Sequence, residues 1–234
     1  MSRNYVIGDI HGCIVPFREM IEEKLRLEKE DVLYLLGDYI DRGPAVKEVI
    51  DKILKLQEEG YQLFPIIGNH EYMLLKSINN PGYFDLWHMN GCIATLTSFG
   101  VTPDKVYEIS SVQQIPEDYL RFFSSLPFYI EAGNYFFVHA GLPPHLKTPG
   151  SSLEDLVWTR SEIYNEHILA GKVLIHGHTP FTLNAIRARV DNKESKIINL
   201  DGGCVYQHNT FLGNLVAMDL DSKELFVVKN RVTG

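Results

Sequence analysis

The sequence predicts an α/β chain that begins on a parallel sheet, and three observations carry that prediction. Short apolar runs alternate with amphipathic stretches at helical spacing through residues 4–77. Three of those runs end in a glycine followed by polar side chains, at "GDIHG" 8–12, "GDYIDRG" 37–43 and "GNHE" 68–71. After Leu126 the chain turns β-rich.

The first run, "NYVIG", reads as a buried strand. Ile14, Phe17, Ile21 and Leu25 come next at helical spacing with charges between them. "DVLYLLG" is a second strand. Pro44 then stands where a first helical turn tolerates it, and Val46, Val49, Ile50, Ile53 and Leu54 form an apolar helix face that Gly60 ends. "YQLFPIIG" is a third strand leading into a helix over "NHEYMLLKS". This β-α-β-α-β-α order is the signature of a parallel sheet with crossover helices. Residues 80–126 differ, with helical segments "FDLWHMNGCIATLTSFG" and "PEDYLRFFSSL". No linker flanks them, so they are expected to form a helical insertion or cap within a single domain spanning 1–234. "FYIEA" and "NYFFVHAG" read as a hairpin about Gly133. "KVLIHG", "LNAIRARV", "KIINLDGG", "NLVAMDL" and "ELFVVKN" read as further strands, with one helical stretch near 152–170.

Composition narrows the function classes. Of 234 residues, 45% are hydrophobic, enough for a substantial core. The net charge of −8 is mixed along the chain, which argues against binding a nucleic-acid backbone through clustered cations. Three widely spaced cysteines, Cys13, Cys92 and Cys204, fit free thiols of a reducing cytosol. There is no apolar leader and no run approaching the roughly 18–20 residues of a membrane helix, so a soluble cytoplasmic protein is expected.

In open α/β sheets, ligands gather at the carboxyl ends of the strands. Here those ends carry Asp9 and His11, then Asp38, then Asn69 and His70, and later His139 in "FFVHAG" and His178 in "IHGHTP". Each motif alone has a plain structural explanation: a capping aspartate, a turn asparagine, a core histidine. Their coincidence at five strand ends points to a metal site, and the Asp, His and Asn set suits Mn, Fe or Zn.

In order and spacing, "GDIHG", "GDYIDRG" and "GNHE" resemble the calcineurin-like metallophosphoesterases. More narrowly they resemble the small bacterial and phage phosphoprotein phosphatases that act on phosphoserine and phosphothreonine. "HAG", "WTR" and "GHTP" extend the resemblance to about residues 4–206. It implies a four-layer αββα sandwich with two divalent ions at one end, Mn preferred and Fe or Zn as alternatives. Asp9 and His11 would bind the first ion, Asp38 would bridge, and Asn69, His139 and His178 would bind the second. A water between the ions would then attack phosphorus in line, and acid should release the ions. Arg42 and Arg160, with Asn69, would engage phosphate. Asp41 would fix the tautomer of His70 and favour its imidazolium, so that His70 could protonate the leaving oxygen. His176 is read as support or packing, and "NLDGGCVY" as structural.

The leading expectation is a protein serine/threonine phosphatase acting on phosphorylated protein, peptide or small phosphoester. The rival on the same scaffold is a symmetrical dinucleoside tetraphosphate hydrolase, whose members often lack the second Asp of the second motif and carry "GNHD". Asp41 and Glu71 therefore favour the phosphatase. Metal-binding without catalysis is the third possibility. The sequence gives no oligomeric state.

Overall fold

A computed structural model describes residues 2–161 and 163–231. The strands that the apolar runs predict are β1 (Asn4–Ile7), β2 (Val32–Leu35), β3 (Gln62–Pro65), β4 (Tyr129–Ala132), β5 (Tyr135–Val138), β6 (Val173–His176), β7 (Ile197–Asn199), β8 (Asn214–Asp219) and β9 (Leu225–Lys229). They form two sheets, one in the order β3-β2-β1-β8-β9 and one in the order β4-β5-β6-β7. β1, β2 and β3 are mutually parallel, as are β5, β6 and β7, so their carboxyl ends collect at one edge of each sheet. β4 and β5 make the hairpin about Gly133.

Nearly unbroken apolar strands bury both faces. Val6, Tyr34, Phe137, Ile175, Ile198, Val216 and Met218 interleave between the two sheets. Their neighbours Ile7, Leu33, Leu35, Leu215 and Ala217 point the other way, into a cluster with Phe17, Val49, Ile53 and Met73 from the helices. Phe136, Val138 and Leu174 cover the outer face of the second sheet beneath Leu156 and Leu169. The result is helix, sheet, sheet, helix, the αββα layering.

The helices are α1 (Ile14–Glu19), α2 (Val46–Glu58), α3 (Asn69–Ser77), α4 (Pro81–Met89), α5 (Cys92–Ser98), α6 (Glu117–Ser125), α7 (Leu153–Trp158), α8 (Glu166–Leu169) and α9 (Leu183–Asp191). α1 runs on into a π-helical turn over Met20–Lys24. Two expectations change. "LNAIRARV" is not a strand but α9: Thr182 caps it by accepting from the Ala185 N–H, and Leu183, Ile186 and Val190 recur at helical spacing against the inter-sheet core. The long helical stretch after Pro81 is two helices, because Gly91 adopts a left-handed φ of 105° between them. Segment 80–126 packs Trp87, Leu96 and Phe123 into the same cluster as Ile7. Among the described residues no helix is long and apolar enough to cross a membrane.

One buried carboxylate ties the starts of β1 and β2 together. Asp31 accepts from the backbone N–H of Arg3 at 3.0 Å and of Glu28 at 2.9 Å, and from the Arg3 guanidinium at 3.1 and 2.6 Å. Burial alone would raise its pKa, but the Arg3 and backbone donors outweigh that and hold it below the usual value. Asp31→Ala is expected to remove roughly 1–3 kcal/mol of stability at neutral pH, since the donors lose their acceptor. The wild-type advantage should be complete above about pH 4 and fade as the pH falls through the lowered pKa. Denaturant unfolding of both proteins at pH 7 and pH 3 checks this. A gap that stays constant between those values would remove the carboxylate from the explanation.

Candidate metal centre

The loops at the strand ends are strained in a consistent way. His11, Asp38, Asp41, Arg42 and His178 take φ values of 46°, 51°, 69°, 68° and 71°, a region L-residues enter at a cost of order 1–3 kcal/mol each. Glu71 holds the loop after β2 in that shape. Its carboxylate accepts from the backbone N–H groups of Asp38 (3.0 Å), Tyr39 (2.8 Å), Ile40 (3.1 Å) and Gly68 (2.9 Å). Gly177 is needed for a different reason. A Cβ there would stand 2.0 Å from Asp9 Oδ1, so only glycine lets the end of β6 pass the first motif.

These loops bring Asp9, His11, Asp38, Asn69, His70, His139 and His178 together. Asp38 is central and 1% exposed. Its Oδ1 accepts from the His70 backbone N–H at 3.1 Å and lies 3.4 Å from His139 Nε2. Its Oδ2 lies 3.5 Å from His11 Nε2 and 3.9 Å from His70 Nε2. Asn69 Oδ1 is 2.9 Å from His139 Nε2 and 3.0 Å from His178 Nδ1. His11 and His139 each place Nδ1 2.8 Å from a backbone carbonyl, of Ile40 and Leu36. Engaging Nδ1 in this way turns Nε2 of each ring inward toward Asp38, the orientation that readies a histidine for a metal.

Two groups of three donors result, His11–Asp38–His70 and Asp38–His139–His178, each with its ligand atoms within 4.8 Å of one another. They share Asp38. The first group holds His70 where the resemblance places Asp9. Asp9 instead accepts from the His178 N–H at 3.0 Å through Oδ2, while its buried Oδ1 has no donor. An acceptor-only oxygen left bare in the interior fits a cation. A positive group already stands at the cluster, since Arg42 Nη1 is 2.7 Å from His11 Nε2. Burial opposes charge on Asp38 and His139, yet their attraction holds the Asp38 carboxyl well below its usual value and lifts His139 to about 10. Burial, reinforced by Asp201, pushes Asp9 well above the carboxylate range. The donor set therefore fits two divalent ions sharing a carboxylate.

Asp41 points away from this centre, to His70. Its Oδ2 is 2.5 Å from His70 Nδ1 and accepts from Trp87 Nε1 at 2.7 Å, while its Oδ1 accepts from the Thr95 hydroxyl. Burial holds His70 down to about 3 and lifts Asp41 to about 8. Burial thus favours the neutral form of both groups over a standing imidazolium, with Oδ2 and Nδ1 in close contact and Nε2 facing Asp38. Trp87 on α4 and Thr95 on α5 are missed by the sequence reading, because a tryptophan and a threonine on apolar helix faces read as core. Asp201 is missed too. It is buried, raised to about 6 by that burial, and accepts from the Gly203 N–H at 2.8 Å. Its "LDGG" repeats the pattern of an acid at a strand end beside glycine.

Arg160 stands at the other side of the centre, exposed, its Nη1 3.5 Å from Thr179 Oγ1 one residue beyond His178. His176 joins neither donor group; its Nδ1 donates to the Gly177 carbonyl at 3.1 Å. The three cysteines are free and buried, and burial pushes the Cys204 thiol upward, so a thiolate nucleophile has no support.

The family model of the calcineurin-like phosphoesterases matches residues 3–209. The chain is a calcineurin-like phosphoesterase. Curated bacterial proteins named symmetrical bis(5'-nucleosyl)-tetraphosphatase are similar to it. The one from Wigglesworthia glossinidia brevipalpis is 40% identical over 72 residues, covering 31% of this phosphoesterase and 25% of the relative. The one from Nitrosococcus oceani is 33% identical over 140 residues, covering 60% and 44%. This phosphoesterase thus spans less than half the length of these relatives. A crystal structure provisionally assigned as a diadenosine tetraphosphatase superposes with a TM-score of 0.68 at 22% identity, covering 100% of this chain and 95% of the other. At that identity it speaks for the fold.

Proposed function

We propose that this phosphoesterase hydrolyses the phosphoanhydride bridge of a dinucleoside polyphosphate, with a dinucleoside tetraphosphate as its substrate. The observation that carries the reading is the run of relatives bearing that activity in their names, matched across up to 60% of the chain. In the sequence, Glu71 favours a protein phosphatase, and the geometry weakens that inference. Both Glu71 oxygens are occupied by backbone N–H groups, so its longer side chain serves the loop and does not touch a substrate.

In this reading Asp9, His11 and Asp38 hold one divalent ion, and Asp38, Asn69, His139 and His178 hold the other. Such ions supply Lewis acidity at phosphorus and a water acidic enough to react at neutral pH. Arg42 and Arg160, exposed on opposite sides, engage the nonbridging phosphate oxygens with fork-shaped donors. His70 offers the Nε2 proton, and Asp41 returns its own proton to Nδ1 as that one leaves.

One observation favours the second reading, a phosphoserine phosphatase. The His70–Asp41 pair, with Trp87 and Thr95 behind it, is an elaborate proton donor for a substrate whose leaving group scarcely needs one. The Mn-loaded protein assayed on diadenosine tetraphosphate and on a phosphoserine peptide separates them. We expect kcat/KM at least about tenfold higher on the dinucleotide, a barrier difference of about 1.4 kcal/mol. Faster turnover of the peptide would reverse the order.

A further inference from the structure

A cavity of about 220 Å³ opens beside Arg42, walled by the segments after the first and second motifs and by the chain's path through Gln207 and Arg231. It is smaller than the roughly 300–1,000 Å³ of sites that enclose whole small molecules, so it suits one piece of a longer ligand. The walls carry two arginines, Arg42 and Arg231, and no carboxylate, in a chain whose net charge is −8. Arg231 is exposed and, among the described residues, makes no hydrogen bond or ion pair; the Gln207 amide is likewise free. Asn230 is fixed between them, its Nδ2 donating to the Cys204 carbonyl at 2.9 Å and to Cys13 Sγ at 3.4 Å. Val15, 62% exposed, and Pro44 make an apolar side.

Arg42 belongs to this cavity and to the metal centre at once, because its Nη1 is 2.7 Å from His11 Nε2. A ligand whose reacting phosphate sits at the centre and which continues past Arg42 must therefore enter the cavity next. We propose that this cavity is the subsite for the phosphate adjoining the scissile one, with Arg231 as its cation, Gln207 as a neutral donor and Val15 with Pro44 against the attached sugar. The assignment rests on the dinucleoside polyphosphate reading for its natural occupant. The demand for a second negative charge stands on the cavity's own residues. A phosphoserine peptide has no charge at that distance by necessity, whereas every polyphosphate does, so the subsite would select between the two classes.

The test compares wild type with R231A, R231K and R231E as Mn-loaded full chains at fixed free Mn. Two ratios are measured: the KM for diadenosine tetraphosphate over that for p-nitrophenyl phosphate, and the inhibition constant of tripolyphosphate over that of inorganic phosphate. A charge-assisted contact is worth enough to move each by about tenfold or more. R231A should raise both ratios about tenfold, R231E further, and R231K should restore most of the loss. Because the Arg231 side chain is exposed and unpaired among the described residues, thermal unfolding should be unchanged. Ratios that do not move with any of the three variants would overturn the subsite. A wild type that prefers the phosphopeptide, while R231A still loses tripolyphosphate, would instead overturn the substrate reading and leave the subsite in place.

Discussion

Asp38→Asn is expected to lower hydrolysis of every phosphoester by at least about 1,000-fold. That exceeds the roughly 10–100-fold attached to groups that merely orient a metal ligand, because Asp38 belongs to both donor groups. The substitution keeps the shape and removes the charge. An asparagine there can still accept from the His70 backbone N–H, so the loop retains its contact. It cannot balance two divalent ions with one shared carboxylate. The second readout is thermal. Ions present at about 100 times their Kd stabilise the folded protein by about 2.7 kcal/mol, which for a chain of this length shifts Tm by roughly 5–10 °C. Wild type should show that rise on addition of Mn to the chelator-treated protein, and Asp38→Asn should lose most of it. A D38N protein that folds, binds Mn with unchanged affinity and turns over at the wild-type rate would remove the shared carboxylate from the account. A wild type that binds no divalent ion would remove the centre itself.

The sheets and the donors are legible in the sequence for one physical reason. Parallel strands buried on both faces read as continuous apolar runs, and the parallel order gathers the residues just past each run at one edge. The positions after Ile7 and Leu35, in one sheet, can therefore be placed together from the sequence alone, whereas those after Val138 belong to the second sheet and join them through the packing of sheet on sheet. α9 is not legible as a helix because its apolar residues also pass for an edge strand over so short a stretch, and its cap, Thr182, lies outside it. The roles of Trp87 and Thr95 are not legible at all. Their polar atoms matter only because α4 and α5 pack over the second motif, a contact between positions 46 and 54 residues apart. Glu71 is legible as an unusual letter but not as a fastener. Three of its four backbone partners, Asp38, Tyr39 and Ile40, lie in a turn whose strained φ values no local pattern announces, and the fourth, Gly68, starts the helix that carries Glu71.

His70→Asn should divide substrates by what departs. His70 Nε2 is buried, unpartnered and faces Asp38, while Nδ1 is held by an Asp41 that burial keeps protonated to about 8. Such a pair can release a proton from Nε2 and refill Nδ1 from Asp41, which leaves a neutral imidazole and a single negative charge on the Asp41 carboxylate, where the Trp87 and Thr95 donors hold it. Positioned proton transfer contributes about 10²–10⁴-fold where the departing oxygen needs it. A serine alkoxide does, so turnover of a phosphoserine peptide should fall by that factor. A nucleoside diphosphate leaves as a phosphate oxyanion whose own protonation lies near about pH 6, and nitrophenolate is comparably stable. On diadenosine tetraphosphate and p-nitrophenyl phosphate the loss should therefore stay below about tenfold. Trp87→Phe, which removes one donor from Asp41 Oδ2 but leaves His70 in place, should shift the pH profile of phosphoserine turnover more than that of the aryl ester. The comparison of leaving groups is decisive because it is internal to one variant. Equal losses on all three substrates would mean that His70 acts on charge gathering at phosphorus, and the Asp41 pair would then be a support for the ring with no proton to give.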